Sequence, residues 1–127
     1  MQKFTVENRK TYIYAKFTKH LAHGEIGAAA HQAKEMLKDN PTLNLLIDDS
    51  ELRYKDLSAN NKMESLEALA LMRQCPKTAV VIAAKDEKLL HYANFALSYA
   101  RLKNIKIGTD INEATTWVDV ESKPANN

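Results

Sequence analysis

Four carboxylic acids lie close together in the middle of the chain: Asp48, Asp49, Glu51 and Asp56. They follow a short apolar segment that is typical of a buried strand. In open α/β sheets ligands bind beyond the carboxyl ends of the strands, so this is the natural place for a site. Paired carboxylates there could hold a divalent cation, as in a phospho-receiver domain. Alternatively, they could cap helix starts and hydrate a loop.

Asp56 and Ser58 come at the predicted start of the second helix, where unpaired backbone N–H groups favour anions. One interpretation is a loop that a protein partner recognises, with Ser58 as a site of phosphorylation. The other is N-capping, in which the side-chain oxygens accept hydrogen bonds from the first turn. With either interpretation, this is the best functional location in the sequence.

Three aromatic residues, Tyr92, Phe95 and Tyr99, form a line along the third predicted helix. The line is displaced by about a third of a turn from the apolar face of that helix. The aromatic rings could form a partner surface, a dimer seam or one wall of a lipid pocket, or they could pack beneath a neighbouring helix. The expected core face of the same helix consists of Leu89, Leu90, Ala93, Ala96, Leu97 and Ala100.

Other residue types that carry chemistry are poorly arranged for it. The spacings of His20, His23 and His31 match no zinc signature, and His91 falls on the polar side of a helix. Cys75 lies at a helix end, where the dipole disfavours a thiolate. The three glycines are too scattered for a phosphate-binding loop or a nucleophile elbow. We therefore expect no enzymatic activity, no metal and no cofactor.

The composition limits the class of protein. The 127 residues are enough for one domain, and 45% hydrophobic with 27% charged residues is typical of globular proteins. A net charge of +2, evenly dispersed, does not indicate nucleic-acid binding. The single cysteine fits a reducing compartment, and residues 79–84, the longest apolar run, are far shorter than the ~20 residues that span a bilayer. We expect a soluble cytoplasmic protein.

Hydrophobic periodicity predicts the elements that position these residues. In residues 11–17, Tyr12, Tyr14 and Lys16 alternate with Ile13, Ala15 and Phe17, as in a strand with two different faces. The first helix carries one apolar stripe, and the last begins with the capping-box spacing of Asp110 and Glu113. The stripe consists of Ile26, Ala29, Ala30, Ala33 and Leu37, and the last helix would bury Ile111, Ala114, Trp117 and Val118.

The predicted strands are residues 3–7, 11–17, 43–48, 78–84 and 105–108. The predicted helices are residues 24–39, 58–74, 87–103 and a short one from residue 110. This ββαβαβαβα order indicates an α/β fold with four helices and a mixed, mostly parallel sheet that opens with an N-terminal β-hairpin. We expect a single domain over residues 1–120 and a flexible tail over residues 121–127.

The segment after the third strand is similar to the motif of STAS domains, represented by anti-sigma-factor antagonists of the SpoIIAA type. Those domains have a strand ending in hydrophobic-Asp-Leu-Ser-Gly, an aromatic-containing turn, and Asp-Ser-Ser/Thr-Gly at the start of a helix. Asp48 and Ser50 match the first part, Tyr54 the aromatic residue, and Asp56 and Ser58 the second part. The element order resembles that of the family over most of residues 3–119.

Two positions depart from the motif, since Leu57 occupies the place of the phosphorylated serine and Ala59 that of the following glycine. The chain therefore resembles the divergent SpoIIAA-like branch, which is often grouped with CRAL-TRIO-type lipid-binding domains. That branch ends in a strand, a short helix and an Ala-x-x-Trp pattern, here Ala114 and Trp117. The interaction loop implied by the resemblance comprises Asp48, Ser50, Tyr54, Asp56, Leu57 and Ser58.

The leading hypothesis is a non-enzymatic regulatory module that docks a protein partner on this loop. Asp56 and Ser58 would supply polar contacts, and Tyr54 an apolar anchor. The alternative is a carrier or sensor of a small apolar or lipid-like ligand, held between the sheet and the aromatic third helix. A third hypothesis, a metal- or phosphate-dependent signalling domain, depends on the acidic cluster alone. A homodimer is compatible with a module of this size, whereas nucleic-acid binding and a membrane span are not expected.

Overall fold

The computed structural model describes residues 4–18 and 24–122, and their elements follow the predicted order. Five strands form one sheet in the spatial order β1-β2-β3-β4-β5. The strands are β1 (Phe4–Asn8), β2 (Tyr12–Phe17), β3 (Asn44–Asp49), β4 (Thr78–Ile82) and β5 (Ile105–Gly108). The helices are α1 (Glu25–Asp39), α2 (Ala59–Gln74), α3 (Glu87–Ala100) and α4 (Ile111–Val118), with a short 3-10 helix (Tyr54–Asp56) before α2.

Strands β1 and β2 form the predicted antiparallel hairpin, in which Phe4 lies opposite Phe17 and Asn8 opposite Ile13. Every other neighbouring pair in the sheet is parallel. Parallel neighbours need a long crossover connection, and α1, α2 and α3 supply the three crossovers. The structure therefore confirms the mixed, mostly parallel sheet.

Alternation along the strands gives the sheet two hydrophobic faces. Leu45 and Ile47 of β3 belong to the cluster that includes α1, whereas Leu46 packs with Val118 of α4 on the opposite face. Strand β2 divides between the two faces as its pattern predicts. All five residues of the predicted α1 stripe are buried: Ile26, Ala29, Ala30, Ala33 and Leu37.

The N-terminus of α1 is capped by a side chain from α2. The N-cap residue, Gly24, has a left-handed backbone conformation (φ 85°) that favours glycine. Because glycine has no side chain, Gly24 cannot cap the helix itself. Instead, the Glu64 carboxylate accepts hydrogen bonds from the backbone N–H groups of Gly24 (2.8 Å) and Gly27 (3.1 Å). A negative charge at this position also complements the helix dipole. Glu64 thus holds α1 and α2 together at the end where α1 begins.

Helix α4 is fixed to the sheet by Asn44, whose Nδ2 donates hydrogen bonds to the backbone carbonyls of Val118 (2.8 Å) and Val120 (3.2 Å). Asp110 caps the helix as predicted, since it accepts hydrogen bonds from two N–H groups of the first turn. Val118 is fully buried. The other three residues predicted to be buried in α4 are half-buried: Ile111, Ala114 and Trp117.

Several predicted details differ from the structure. Helix α3 begins after the Asp86 cap but ends at Ala100, because Arg101 adopts a left-handed conformation (φ 54°) that terminates the helix. Strand β4 ends at Ile82, two residues before the end of the predicted strand. Leu90 was expected in the core, yet 39% of it is exposed. One residue along a helix is a rotation of about 100°, so burial of Leu89 turns Leu90 away from the sheet.

Within residues 4–18 and 24–122, no helix combines the length and the hydrophobicity needed to span a membrane. His20, His23 and residues 123–127 of the predicted tail lie outside the described residues.

Candidate functional site

A cavity of about 120 Å³ lies between the sheet and the three crossover helices. Its wall is mostly aliphatic, and alanines on all three helices leave space beside the larger side chains of the strands. Representative lining residues are Ile47 and Val80 from the sheet, Ala30 from α1, Ala68 from α2, and Ala93 and Ala96 from α3.

Four polar side chains interrupt this apolar wall, and two of them satisfy each other. Ser65 Oγ of α2 lies 2.8 Å from the Tyr92 hydroxyl of α3. The Lys62 carbonyl lies within hydrogen-bond distance of both hydroxyls, at 2.6 Å from Ser65 and 3.1 Å from Tyr92, so one hydroxyl donates to the carbonyl and the other donates within the same group of three oxygens. This network joins α2 to α3. The other two polar side chains in the wall are those of Asp49 and Asn61.

Asp49 ends β3 on the same face of the sheet as Leu45 and Ile47. Its Oδ1 is buried and has no hydrogen-bond partner within the described part of the chain. Burial raises the pKa of the Asp49 carboxyl to about 7, and the neighbouring Asp48 carboxylate adds to that rise. The cavity wall therefore carries a carboxyl group that keeps its proton to a much higher pH than an ordinary aspartic acid does.

Asn61 lies in the first turn of α2 and is only 2% exposed. It forms a capping box with Ser58: Ser58 Oγ accepts from the Asn61 N–H at 3.0 Å, and Asn61 Oδ1 accepts from the Ser58 N–H at 3.1 Å. Because the Ser58 N–H can only donate, this pairing fixes which amide atom is oxygen. The Asn61 Nδ2 group is buried and has no partner among the described residues.

Asp48 lies on the opposite face of the sheet, and both oxygens of its carboxylate accept hydrogen bonds from other residues of the fold. Its Oδ2 accepts a hydrogen bond from the Tyr14 hydroxyl (2.7 Å), and its Oδ1 accepts from the backbone N–H (3.1 Å) and the hydroxyl (2.6 Å) of Ser50. Burial acts to raise the pKa of Asp48. The hydrogen bonds from Ser50 and Tyr14 oppose that effect and hold the pKa below its ordinary value. Asp48 and Ser50 therefore form an internal structural network.

The predicted aromatic anchor, Tyr54, is half-buried and packs against α2 and α3. The centroid of the Tyr54 ring lies 5.9 Å from the centroid of the Tyr92 ring on α3. On α2, the Nζ atom of Lys62 lies 4.2 Å from the centroid of the Tyr54 ring. The Tyr54 N–H donates to the Asp86 carboxylate at 2.8 Å. Tyr54 is thus a packing residue whose ring contacts Tyr92 and Lys62.

The remaining residues of the predicted interaction loop, Asp56, Leu57 and Ser58, differ in their exposure to solvent. Leu57 is half-buried and lines the cavity. Asp56 and Ser58 are exposed, and Ser58 is the N-cap of α2. Of the six predicted loop residues, only Asp56 and Ser58 are exposed, and the other four are buried or half-buried.

The predicted aromatic line of α3 is divided between two environments. Tyr92 is half-buried in the cavity wall, whereas Phe95 and Tyr99 are 70% and 79% exposed. The exposed pair is stacked, with ring centroids 6.3 Å apart. On α2, Met63 and Leu66 are likewise mostly exposed. The outer surface of these two helices thus displays large apolar side chains.

The acidic cluster does not form a cation site in the described residues, where no three His, Cys, Asp or Glu side chains converge. Asp48 and Asp49 lie on opposite faces of the sheet, and Glu51 pairs instead with Lys16 at 2.7 Å. Cys75 is buried, and burial raises the pKa of its thiol to about 12. A thiol of that pKa is a weak nucleophile at neutral pH.

Sequence reasoning placed Asp49 in a hydrated acidic cluster and did not single out Asn61. A signal for Asp49 exists, because it lies two residues after Ile47 and four after Leu45, and period-two alternation puts all three on one face. Asn61 lies three residues after the Ser58 cap, which is the position whose side chain returns to the cap and is held against the helix.

No family model matches the chain, and no curated protein matches it. Among solved structures, it is similar to an uncharacterised protein of the DUF3478 family with a SpoIIAA-like fold from Shewanella loihica. The two chains share 19% sequence identity and superpose with a TM-score of 0.65 over 91% of each chain. At this identity the likeness concerns the fold alone. The chain has a SpoIIAA-like, mixed α/β fold, as its motif and element order predicted.

Proposed function

We propose that this chain is a non-enzymatic binding module that holds a small apolar ligand in the cavity between the sheet and α1, α2 and α3. The cavity itself is the observation that carries the proposal. An engineered cavity of about 150 Å³ with aliphatic and aromatic walls binds benzene. The cavity here, at about 120 Å³, is close to that size, and most of its wall is aliphatic. It suits a molecule about as large as one aromatic ring.

Helices α2 and α3 connect the ligand to the surface of the module. Both helices line the cavity, and the Ser65–Tyr92 hydrogen bond joins them. A ligand that fills the space between these helices and the sheet would favour their packed arrangement. The outer side of α3 presents Phe95 and Tyr99 to solvent. In this proposal the module is a sensor or carrier whose surface responds to occupancy, and the single buried Cys75 fits a reducing, cytoplasmic setting.

Thermal unfolding with benzene as the probe tests this function. Millimolar benzene is expected to raise the melting temperature of the chain by a few degrees. Ala68→Leu places a larger side chain in the cavity and is expected to abolish the effect. Ala70→Leu, at an exposed position on the same helix, is the matched control and should retain it. An unchanged melting temperature in the natural chain, or an equal response of both variants, would contradict the proposal.

A second candidate function, docking of a protein partner, is favoured by the exposed apolar surface of α2 and α3. Phe95 and Tyr99 stack on each other in solvent, and Met63 and Leu66 are 67% and 56% exposed. Exposed large apolar side chains are typical of interaction sites when they cluster on a surface. Sedimentation velocity of the natural chain and of the Phe95→Ser, Tyr99→Ser double variant tests whether the partner is a second copy. A monomer at all concentrations in both chains would rule out that partner.

A further inference from the structure

We infer that the cavity selects a small apolar molecule bearing one hydroxyl group, an alcohol or a phenol, which binds through its oxygen to Asp49 and Asn61. This inference rests on the proposed ligand-binding function and specifies the chemistry of the ligand. It starts from two buried polar atoms in the cavity wall, Asp49 Oδ1 and Asn61 Nδ2. Neither atom has a hydrogen-bond partner among the described residues.

The topology of the fold places the two groups toward the same end of the cavity. Asp49 is the last residue of β3, and Asn61 lies in the first turn of α2, the helix that follows β3 along the chain. A helix that crosses back over a parallel sheet begins at the edge where the preceding strand ends. The carboxyl group and the amide therefore form one polar end of an otherwise aliphatic space.

The amide contributes a fixed donor. Its oxygen is occupied by the Ser58 N–H at 3.1 Å, so the Nδ2 group is the part left to pair with a ligand. A ligand atom facing Asn61 must therefore accept a hydrogen bond. An ammonium group, which has donors only, could pair with ionised Asp49 but would leave the Nδ2 group without an acceptor.

The carboxyl group contributes an acceptor when ionised and a donor when protonated. A ligand hydroxyl group can pair with either form, and in both cases its oxygen accepts a hydrogen bond from Asn61 Nδ2. When Asp49 is ionised, the hydroxyl donates its proton to the carboxylate. When Asp49 is protonated, the second lone pair of the hydroxyl oxygen accepts a hydrogen bond from the carboxylic acid. A ligand carboxylate would face repulsion from ionised Asp49 in an apolar site. A hydrocarbon would leave both buried polar atoms unpaired.

The other polar groups of the wall do not compete for this hydroxyl. The two hydroxyl protons of Ser65 and Tyr92 are used within the network that these side chains form with the Lys62 carbonyl. Among the lining residues the structure describes, none is a lysine, arginine or histidine. The polar selectivity of the cavity therefore depends on Asp49 and Asn61.

Isothermal titration calorimetry with phenol and fluorobenzene tests the inference, because the two probes have nearly the same size and only phenol has a hydroxyl group. The natural chain is expected to bind phenol at least about tenfold more tightly than fluorobenzene. Asp49→Leu removes the carboxyl group, and Asn61→Asp removes the donor while keeping an oxygen for the Ser58 N–H. Each variant is expected to lose most of the preference while still binding fluorobenzene, which also shows that the variant is folded.

The possible results distinguish apolar ligand binding in the cavity from selection of a hydroxyl group by Asp49 and Asn61. If both probes bind the natural chain with equal affinity, and Ala68→Leu abolishes both, the cavity binds apolar ligands and the hydroxyl selection is wrong. If neither probe binds the natural chain, the ligand-binding function and the inference both fail. If the phenol preference survives in both polar variants, Asp49 and Asn61 are not the selecting groups.

Discussion

Asp48 and Asp49 are adjacent in β3, and their carboxyl groups lie on opposite faces of the sheet in opposite chemical situations. Asp48 accepts three hydrogen bonds from Tyr14 and Ser50, which hold its pKa below the ordinary value. Asp49 Oδ1 has no partner in the described chain, and burial raises the pKa of Asp49 to about 7. One acid stabilises the end of the strand, and the other lines the cavity.

The Asp49 carboxyl predicts an unusual dependence of stability on pH. Its pKa is 3.8 in a model peptide and about 7 in the folded chain, so the folded state holds the proton more tightly than the unfolded state. The free energy of unfolding should therefore fall as pH rises from about 4 to about 7, by at most about 4 kcal/mol from this group. Asp49→Asn stays uncharged and should be more stable than the natural chain at pH 8, by about 2–4 kcal/mol.

Urea unfolding at pH 4.5, 6 and 8 gives the free energy of unfolding of the natural chain and of Asp49→Asn, and the difference between the two values measures this effect. That difference should grow with pH over this range. Asp56→Asn, an exposed neighbour, is the control and should follow the natural chain at every pH. Parallel curves for the natural chain and Asp49→Asn would show that the Asp49 carboxyl is not desolvated in the folded state.

The capping box at the start of α2 should contribute to stability and to selectivity together. Ser58→Ala removes the acceptor of the Asn61 N–H and should cost about 1 kcal/mol of unfolding free energy. Loss of that bond also weakens the first turn of α2, which positions the Asn61 side chain, so the preference for phenol over fluorobenzene should decrease although the side-chain bond to the Ser58 N–H remains. Ser58→Asp keeps an acceptor at the cap and should restore both properties. Full selectivity in Ser58→Ala would mean that Asn61 is held by other contacts.

The contact of Glu64 with the first turn of α1 should stabilise the packing of α1 on α2. Glu64→Ala leaves the N–H groups of Gly24 and Gly27 without their acceptor and should cost about 1–2 kcal/mol. Gln74→Ala, at the exposed end of the same helix, is the control and should change stability by less than about 0.5 kcal/mol. Chemical denaturation measures both. Equal values for the two variants would show that the Glu64 cap is not formed in solution.

The two parts of the α3 aromatic line should respond differently to mutation. Tyr92→Ala removes a ring that packs on Tyr54 and a hydroxyl bonded to Ser65, and it should cost about 2–4 kcal/mol. Phe95→Ser and Tyr99→Ser change exposed side chains and should each change stability by less than about 1 kcal/mol. Thermal melts compare the three variants. A large loss on Phe95→Ser would place Phe95 in a buried interface between copies.

The sequence predicted the elements well where one face is buried and one is hydrated. The α1 stripe and the alternation in β2 are examples, because in each the buried face repeats with the period of the element. Boundaries were less predictable. The end of α3 depends on the left-handed conformation of Arg101, a residue type that gives no turn signal.

The site was harder to predict, because a cavity depends on the relative packing of elements distant in sequence. Alanines such as Ala68 and Ala93 are ordinary helix residues, and only the packed structure shows the space between them. The acidic cluster gave a misleading signal. Residues adjacent in a strand alternate between faces, so Asp48 and Asp49 could not form a pair once β3 extended through both.

An NMR titration of the isotopically labelled chain with phenol distinguishes binding inside the cavity from adhesion to the helix surface. We expect saturable shifts of the Asn61 side-chain NH₂ signals and of the Ala68 and Ala93 methyl signals, with smaller shifts at exposed Phe95 and Tyr99. Shifts confined to Phe95 and Tyr99, or changes that stay linear with phenol concentration, would show that phenol only adheres to the surface, and would contradict a binding cavity under α2 and α3.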